Sequence, residues 1–253
     1  KARTWDLKQH IGISPHDCIG SNIFYHTYNN KIVRAIPRDN PEINQTWIAD
    51  RDRFGFEGIY SEDRCKKVMK KVNGVLEDFD EDMLFNEINS SIKNHINKNS
   101  NDDIGCFISG QTSSEEMFLM KKLFKIFEIA NFDHRTNEIE FEYEDSFPIM
   151  PYLGCSINEL RDYDNILLFG VNIKSEFPIL SIRFNEAAKS GTKFYSFHFS
   201  PFQEAFPLEK SYCISPKEII NKLKAGIKGV DSTQKNLLII GPSINYLPYQ
   251  TLF

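Results

Sequence analysis

Apolar and polar positions follow different patterns on the two sides of Tyr60. Before it, residues 22–27 and 31–36 are rich in β-branched and aromatic side chains, which favour strands. Asn29 and Asn30 lie between these two runs and tolerate the positive φ angles that a tight turn requires. The pattern therefore predicts a β-hairpin in a compact, β-rich beginning of the chain.

From Ser61 onward, segments with helical spacing alternate with short apolar runs. Ser113 and Glu116 form a predicted capping box, which starts a helix. The residues of this helix expected to face inward are Met117, Met120, Leu123, Phe124 and Phe127. The other predicted helices are 79–97, 178–190 and 216–228, and the predicted strands are 104–109, 165–171, 192–199 and 237–240. Strands separated by helices imply an α/β fold with a mostly parallel sheet covered on both faces.

The composition indicates a folded chain of one large domain or two smaller ones, since 253 residues exceed a typical domain of about 150. Aromatic residues make up 13% of the chain, enough to build a core, which excludes a disordered protein. The apolar runs are far shorter than the roughly 20 residues of a membrane-spanning helix, and no signal peptide is apparent. A net charge of −5 without a Lys/Arg stripe argues against a nucleic-acid partner.

Cysteines and histidines are too scattered to predict a metal site. The five cysteines are odd in number and contain no CxxC pair, which is typical of free thiols in a reducing compartment. The densest group of potential ligands is Pro15–Cys18, where neighbouring side chains diverge, so a turn or loop is favoured over a metal site. Gly105–Thr112 has nearly the spacing of a phosphate-binding loop, but Gln111 stands where that loop needs a lysine. A strand followed by a capped helix is the favoured interpretation there.

Several stretches of the chain carry a resemblance to a known family. The strongest are Ile13–Ile23, Val33–Arg38, Glu42–Asn44, Trp47–Phe54 and Tyr60–Arg64. Looser matches follow at Thr112–Glu116, Asn131–Arg135, Leu153–Gly154, Leu167–Asn172 and Glu176–Arg183. Together these stretches resemble the large iron–sulfur subunit of respiratory complex I, also known by its size as the 75 kDa subunit, just after its ferredoxin-like region. This family is part of the wider molybdopterin oxidoreductase superfamily.

The resemblance implies two domains. Residues 1–62 would form a small β-rich domain of the 4Fe-4S Mo/W bis-MGD type, and residues 63–253 a truncated α/β domain of the molybdopterin oxidoreductase type. Because the sequence starts with Lys1, it is expected to be a piece of a longer chain. Asn172 is expected near the place where relatives approach the pterin, and the favoured role of its side chain is to satisfy backbone groups of the loop.

The resemblance also implies that the small domain has lost its cluster. Cofactor-bearing relatives hold a 4Fe-4S cluster with four cysteines spaced C-x2-C-x3-C-x27-C. That register falls on Ser14, Asp17, Ser21 and Ala49, none of which is a cysteine. Cluster iron requires thiolate ligands. Cys18 lies one position from a ligand slot and could not replace a missing thiolate without rearranging the loop.

The implied function is that of a structural segment of NADH:quinone oxidoreductase, with no catalytic residue, cofactor or metal of its own. The 2Fe-2S and 4Fe-4S clusters are expected upstream in the full chain. The expected partners are other subunits of the peripheral arm, including the flavin-bearing NADH-binding subunit, without direct membrane insertion. The expected location is the cytoplasmic side of the bacterial inner membrane, or the mitochondrial matrix for an organellar protein.

Two alternatives stay open at this point. One is a fragment of a molybdopterin-dependent oxidoreductase, such as a formate dehydrogenase-like or nitrate reductase-like protein, for which Cys106, Cys155 and Cys213 are candidate ligands by residue type alone. The other is a nucleotide-binding module that uses Gly105–Thr112.

Overall fold

A computed structural model of the chain describes residues 3–134, 145, 152–241 and 243. The chain forms two compact units. One unit combines residues 1–57 with residues 137–253, and the other consists of residues 58–136. The predicted division into domains 1–62 and 63–253 is a different grouping, and it stays a prediction.

The N-terminal part of the first unit contains a three-stranded antiparallel sheet in the order β1-β2-β3. Its strands are β1 (Lys8–Ile13), β2 (Asn22–Tyr28) and β3 (Lys31–Pro37), and a short helix α1 (Asp50–Phe54) follows. Asn29 and Asn30 have φ angles of 48° and 59°, as the tight turn between β2 and β3 requires. The predicted hairpin is therefore confirmed.

The second unit contains an antiparallel hairpin and a short parallel strand pair with two helices. Its elements are β4 (Met69–Val72), β5 (Val75–Asp78), α2 (Glu81–Lys98), β6 (Gly105–Phe107), α3 (Ser114–Ile126) and β7 (Asn131–Asp133). The predicted capping box starts α3, because the N–H of Glu116 donates to the Ser113 hydroxyl and the Glu116 carboxylate accepts from the N–H of Ser113. One expectation for α3 is wrong: Leu123 is 44% exposed. At 100° per residue, it lies roughly 80° from the centre of the stripe formed by the other four residues.

The C-terminal part of the first unit is built around a four-stranded parallel sheet in the order β10-β9-β8-β11. Its elements are β8 (Asn165–Phe169), α4 (Ile173–Glu176), α5 (Pro178–Lys189), β9 (Lys193–His198), β10 (Lys210–Cys213), α6 (Pro216–Ala225) and β11 (Asn236–Ile240). Short 3-10 helices occur at Thr4–Asp6, Gly55–Tyr60, Asn101–Asp103 and Ile157–Asp162.

Two apolar clusters cover the two faces of this sheet, as the sequence predicts. One joins β8 and β9 to α5 through Ile166, Leu168, Leu180, Phe184 and Phe194. The other joins them to α6 through Leu167, Phe169, Tyr195, Phe197 and Ile219. The α/β fold class with a β-rich beginning is therefore confirmed. Among the helices of the described ranges, none is long and apolar enough to cross a membrane.

The strand order creates one place suited to a ligand. The chain leaves β8 toward β9 on one side and later crosses to β11 on the other side of β8. In open α/β sheets, ligands bind where neighbouring connections leave in opposite directions, at the carboxyl ends of the strands. Here this switch point lies at the ends of β8 and β11.

Candidate functional site

The side chains at the four predicted cluster positions are buried, and hydrogen bonds of side chains and backbone connect this part of the chain with α1. Ser14, Ser21 and Ala49 are buried, and the side chain of Asp17 is only 2% exposed. The N–H of Ser14 donates to the carbonyl of Ser21 over 2.8 Å. The hydroxyl of Ser14 donates to Oδ1 of Asp52 over 2.5 Å, and the N–H of Asp52 donates to the carbonyl of Ala49 over 3.0 Å. These bonds bring residues 14, 21 and 49 into one neighbourhood.

Asp17 is tied to the same neighbourhood by a charged partner. Nη2 of Arg51 lies 2.7 Å from Oδ2 of Asp17. The other carboxylate oxygen of Asp17 accepts the N–H of Ile19 over 3.0 Å. Neither Arg51 nor Asp52 is predicted from the sequence as a site residue. They lie two and three positions after Ala49, but they are 34 and 38 residues from their partners, so no local spacing indicates these pairs.

The residues at these positions do not fit a 4Fe-4S cluster. The oxygens of Ser14 and Asp17 already bind Asp52 and Arg51. Burial, and next the neighbouring Asp17 carboxylate, raise the pKa of the Cys18 thiol, which disfavours the thiolate that iron binds. The part of the chain that the structure describes contains no group of three or more His, Cys, Asp or Glu able to hold a metal ion.

Ser14, His16 and Asp52 do not form a catalytic triad of the kind that hydrolases use. Nδ1 of His16 lies 3.5 Å from Oδ1 of Asp52, the same oxygen that accepts the Ser14 hydroxyl. A serine nucleophile must donate its proton to the histidine, with the carboxylate behind that histidine. Here the carboxylate lies between the two, so Ser14 is held as a structural donor.

After β8, the backbone N–H groups donate hydrogen bonds to side-chain oxygens of this same chain. Oδ1 of Asn172 accepts the N–H of Ser175 over 3.0 Å, which confirms the predicted role of Asn172. Oε1 of Glu176 accepts the N–H of Asn172 over 3.0 Å. The two oxygens of the buried Glu204 accept the N–H groups of Ile173 and Lys174, each over 2.9 Å. The four consecutive donors of residues 172–175 are therefore all engaged.

The loop after β11 closes against the loop after β8. The N–H of Gly241 donates to the carbonyl of Phe169 over 2.8 Å. A Cβ atom on Gly241 would lie 2.4 Å from Cβ of Val171 and 2.5 Å from the carbonyl oxygen of Gly170, so only glycine fits. A pterin cofactor that carries phosphate needs free donors at such a switch point. The described residues 172–175 offer none, so they do not fit this group.

The candidates of the two alternatives are not assembled into a site. The N–H of Gln111 donates to the Ser109 hydroxyl over 3.2 Å, so this donor, which a phosphate would need, is engaged. Burial is the largest cause that raises the pKa of the Cys106 and Cys155 thiols, which disfavours metal binding. Cys213 is exposed at the end of β10, and all five cysteines are free, as predicted.

The parallel sheet, the apolar clusters on its two faces and the switch point at the ends of β8 and β11 agree with a known family of proteins. The chain belongs to the molybdopterin oxidoreductase family, whose sequence model matches residues 64–209, more than half of the chain. Residues 8–57 match a second model, described as NADH-ubiquinone oxidoreductase NDSU1/NuoG-like, 4Fe-4S domain.

Curated relatives give a more particular likeness. The NADH-quinone oxidoreductase G subunit of Rickettsia felis is 26% identical over 192 residues, a match that covers 76% of this chain and 28% of the relative. The NADH-ubiquinone oxidoreductase 75 kDa subunit of Reclinomonas americana is 27% identical over 201 residues, covering 75% of this chain and 28% of the relative. The predicted resemblance to the large iron–sulfur subunit of complex I is therefore confirmed. The chain spans little more than a quarter of the length of these relatives.

A solved structure supports the fold alone. Acetylene hydratase from Pelobacter acetylenicus superimposes with a TM-score of 0.59 at 14% identity, over 78% of this chain and 28% of that enzyme.

Proposed function

We propose that this chain is a structural segment of the large iron–sulfur subunit of NADH:quinone oxidoreductase and holds no redox centre of its own. The observation that carries the proposal is the polar neighbourhood of Ser14 and Asp17, where Asp52 and Arg51 engage oxygens at two of the four positions expected to ligate a cluster. The curated relatives support the subunit assignment.

In this proposal, the segment supports electron transfer from NADH to quinone by holding its surroundings in place. The 2Fe-2S and 4Fe-4S clusters belong to the upstream part of the full chain. Its partners are other subunits of the peripheral arm, among them the flavin-bearing NADH-binding subunit. The complex lies on the cytoplasmic side of the bacterial inner membrane, or in the matrix of a mitochondrion. A fold that supplies a rigid core and no catalytic group suits this role.

The molybdopterin enzyme alternative has less support. The engaged donors of residues 172–175 count against a pterin cofactor, and the likeness to acetylene hydratase concerns the fold alone. Molybdenum detected by mass spectrometry in the purified full-length protein would favour this alternative over the structural role.

Deleting the gene should remove the NADH-oxidising complex from the membrane fraction. A subunit that holds the peripheral arm together is needed for assembly, so blue-native gels stained for NADH oxidation should lose the band of the complete complex. Re-expression of the intact gene should restore the band, and re-expression without residues 8–57 should not. Normal assembly without the gene would contradict the proposed function.

The isolated 253-residue chain should not acquire a cluster. After anaerobic incubation with iron and sulfide followed by desalting, we expect neither stoichiometric iron nor acid-labile sulfide, and no EPR signal upon reduction, because the ligand positions lack thiolates. A ferredoxin treated in parallel is the positive control. Stoichiometric iron and sulfide would show that the segment does hold a redox centre.

A further inference from the structure

We propose that Arg51 is an ionic cross-link that fastens the loop of residues 14–21 to the end of α4, at the place where relatives would carry a cluster. The positions expected to ligate iron do not fit it, and a charged side chain joins the same segments instead. This inference concerns the fold and does not depend on assembly with other subunits, so the test below and the assembly test fail independently.

The guanidinium of Arg51 has partners on two separate parts of the chain. Nη2 donates to Oδ2 of Asp17 over 2.7 Å and to the carbonyl of Glu176 over 2.5 Å. Nη1 donates to the carbonyl of Ser175 over 3.4 Å. The last carbonyls of a helix lack partners within the helix and carry partial negative charge, so a cation suits the end of α4.

The loop end of the cross-link is fixed as well. The second oxygen of Asp17 accepts the N–H of Ile19, so the carboxylate cannot rotate freely. Ile19 in turn packs against the apolar cluster of the parallel sheet that contains Phe184. The apolar contact of Ile19 and the ion pair of Asp17 thus act at neighbouring residues of the loop, in addition to the hydrogen bond between Ser14 and Asp52.

Arginine is suited to this position in a way that lysine is not. Its planar fork presents several donors at once, whereas a lysine ammonium is a compact point charge on a flexible stem. The Asp17 side chain is almost fully buried, so loss of Arg51 would leave a buried carboxylate without a positively charged partner. Arg51→Lys should therefore weaken the cross-link although it preserves the charge.

A second arginine also joins the N-terminal segment to the α/β part, but this arginine belongs to the α/β part. Nη2 of the buried Arg183, on α5, donates to the carbonyl of Pro41 over 2.7 Å and to Oδ1 of Asn158 over 2.5 Å. Arg51 and Arg183 thus attach the N-terminal segment to the α/β part at different places, which resists rotation better than a single attachment would.

The test is hydrogen–deuterium exchange of the 253-residue chain, measured by mass spectrometry on peptides that cover residues 14–21. Arg51→Lys and Asp17→Asn should each raise exchange there by about tenfold or more, because a charge-assisted hydrogen bond contributes that much. The double variant should exceed the single variants only slightly, since both remove the same interaction. The matched control is Arg53→Ala, in the same helix, whose side chain has no hydrogen-bond or ion-pair partner among the described residues.

Each outcome decides the proposal. Unfolding of Arg51→Lys with a folded Arg53→Ala is the extreme form of the expected result. Unchanged exchange in both Asp17→Asn and Arg51→Lys would overturn the cross-link. So would an Arg53→Ala effect as large as that of Arg51→Lys, or fully additive effects in the double variant.

Discussion

Replacing Phe184 with alanine should lower the free energy of unfolding by about 3–5 kcal/mol, the range for removing a buried aromatic ring. Phe184 projects from α5 and is fully buried. Its ring centroid lies 5.0 Å from that of Phe194 and 5.2 Å from that of Phe206, which themselves lie 4.9 Å apart. Removing one ring from this triangle leaves a cavity between α5 and the sheet. Denaturant titration followed by circular dichroism measures the loss.

The control for this prediction is Phe54→Ala. Phe54 is 57% exposed, so its replacement should cost about 1 kcal/mol or less. Equal losses for the two variants would mean that the triangle of rings is not the centre of the core.

Replacing Glu204 with alanine should lower the free energy of unfolding by about 2–6 kcal/mol, because it leaves two backbone donors without a partner and each such buried donor costs about 1–3 kcal/mol. The two donors are the N–H groups of Ile173 and Lys174. Glu209→Ala is the matched control, since Glu209 follows in the same connection and is exposed. Denaturant titration should show little change for this control, and an equal loss in both variants would contradict the assigned role of Glu204.

The pH dependence of Glu204 distinguishes the role of its charge from the role of its oxygens. Burial raises the pKa of the Glu204 carboxyl, and the two backbone donors only partly oppose the rise. A raised native pKa means that this contribution to stability is full below the usual value of about 4.3 and is lost as the pH rises through the native pKa. Between these pH values, the free energy of unfolding of the unmodified protein should fall relative to that of Glu204→Gln. Parallel curves would show that Glu204 does not titrate in this window.

The elements that the sequence predicts well carry strong local signals. The Asn29-Asn30 turn, the capping box at Ser113 and the periodic apolar residues of α5 are such cases. The hairpin of β4 and β5 is absent from the sequence-based prediction although its turn, Asn73-Gly74, is a strong hairpin signal, with φ angles of 50° and 88°. Strands β1 and β10 are absent from it because they lie at sheet edges and alternate only weakly.

The candidate site is predictable only in part. The family register locates Ser14, Asp17, Ser21 and Ala49, but their present partners come from pairings that no spacing rule describes. Glu204 is a clearer case, since it lies 31 residues from Ile173 in the chain and follows no motif. Such long-range polar contacts depend on how the helices and strands pack, and this packing forms only together with the whole sheet.

The bond between Arg51 and the carbonyl of Ser175 spans 124 residues of sequence, and this separation affects how the protein is made. A hairpin such as β2–β3 can close in about 1–10 μs. At a ribosomal rate of about 5–20 residues per second, the other end of the bond emerges roughly 6–25 s later. During this interval Arg51 can bind Asp17 but not the carbonyls of Ser175 and Glu176, so newly made N-terminal segments would be the most vulnerable to proteases and the most dependent on chaperones.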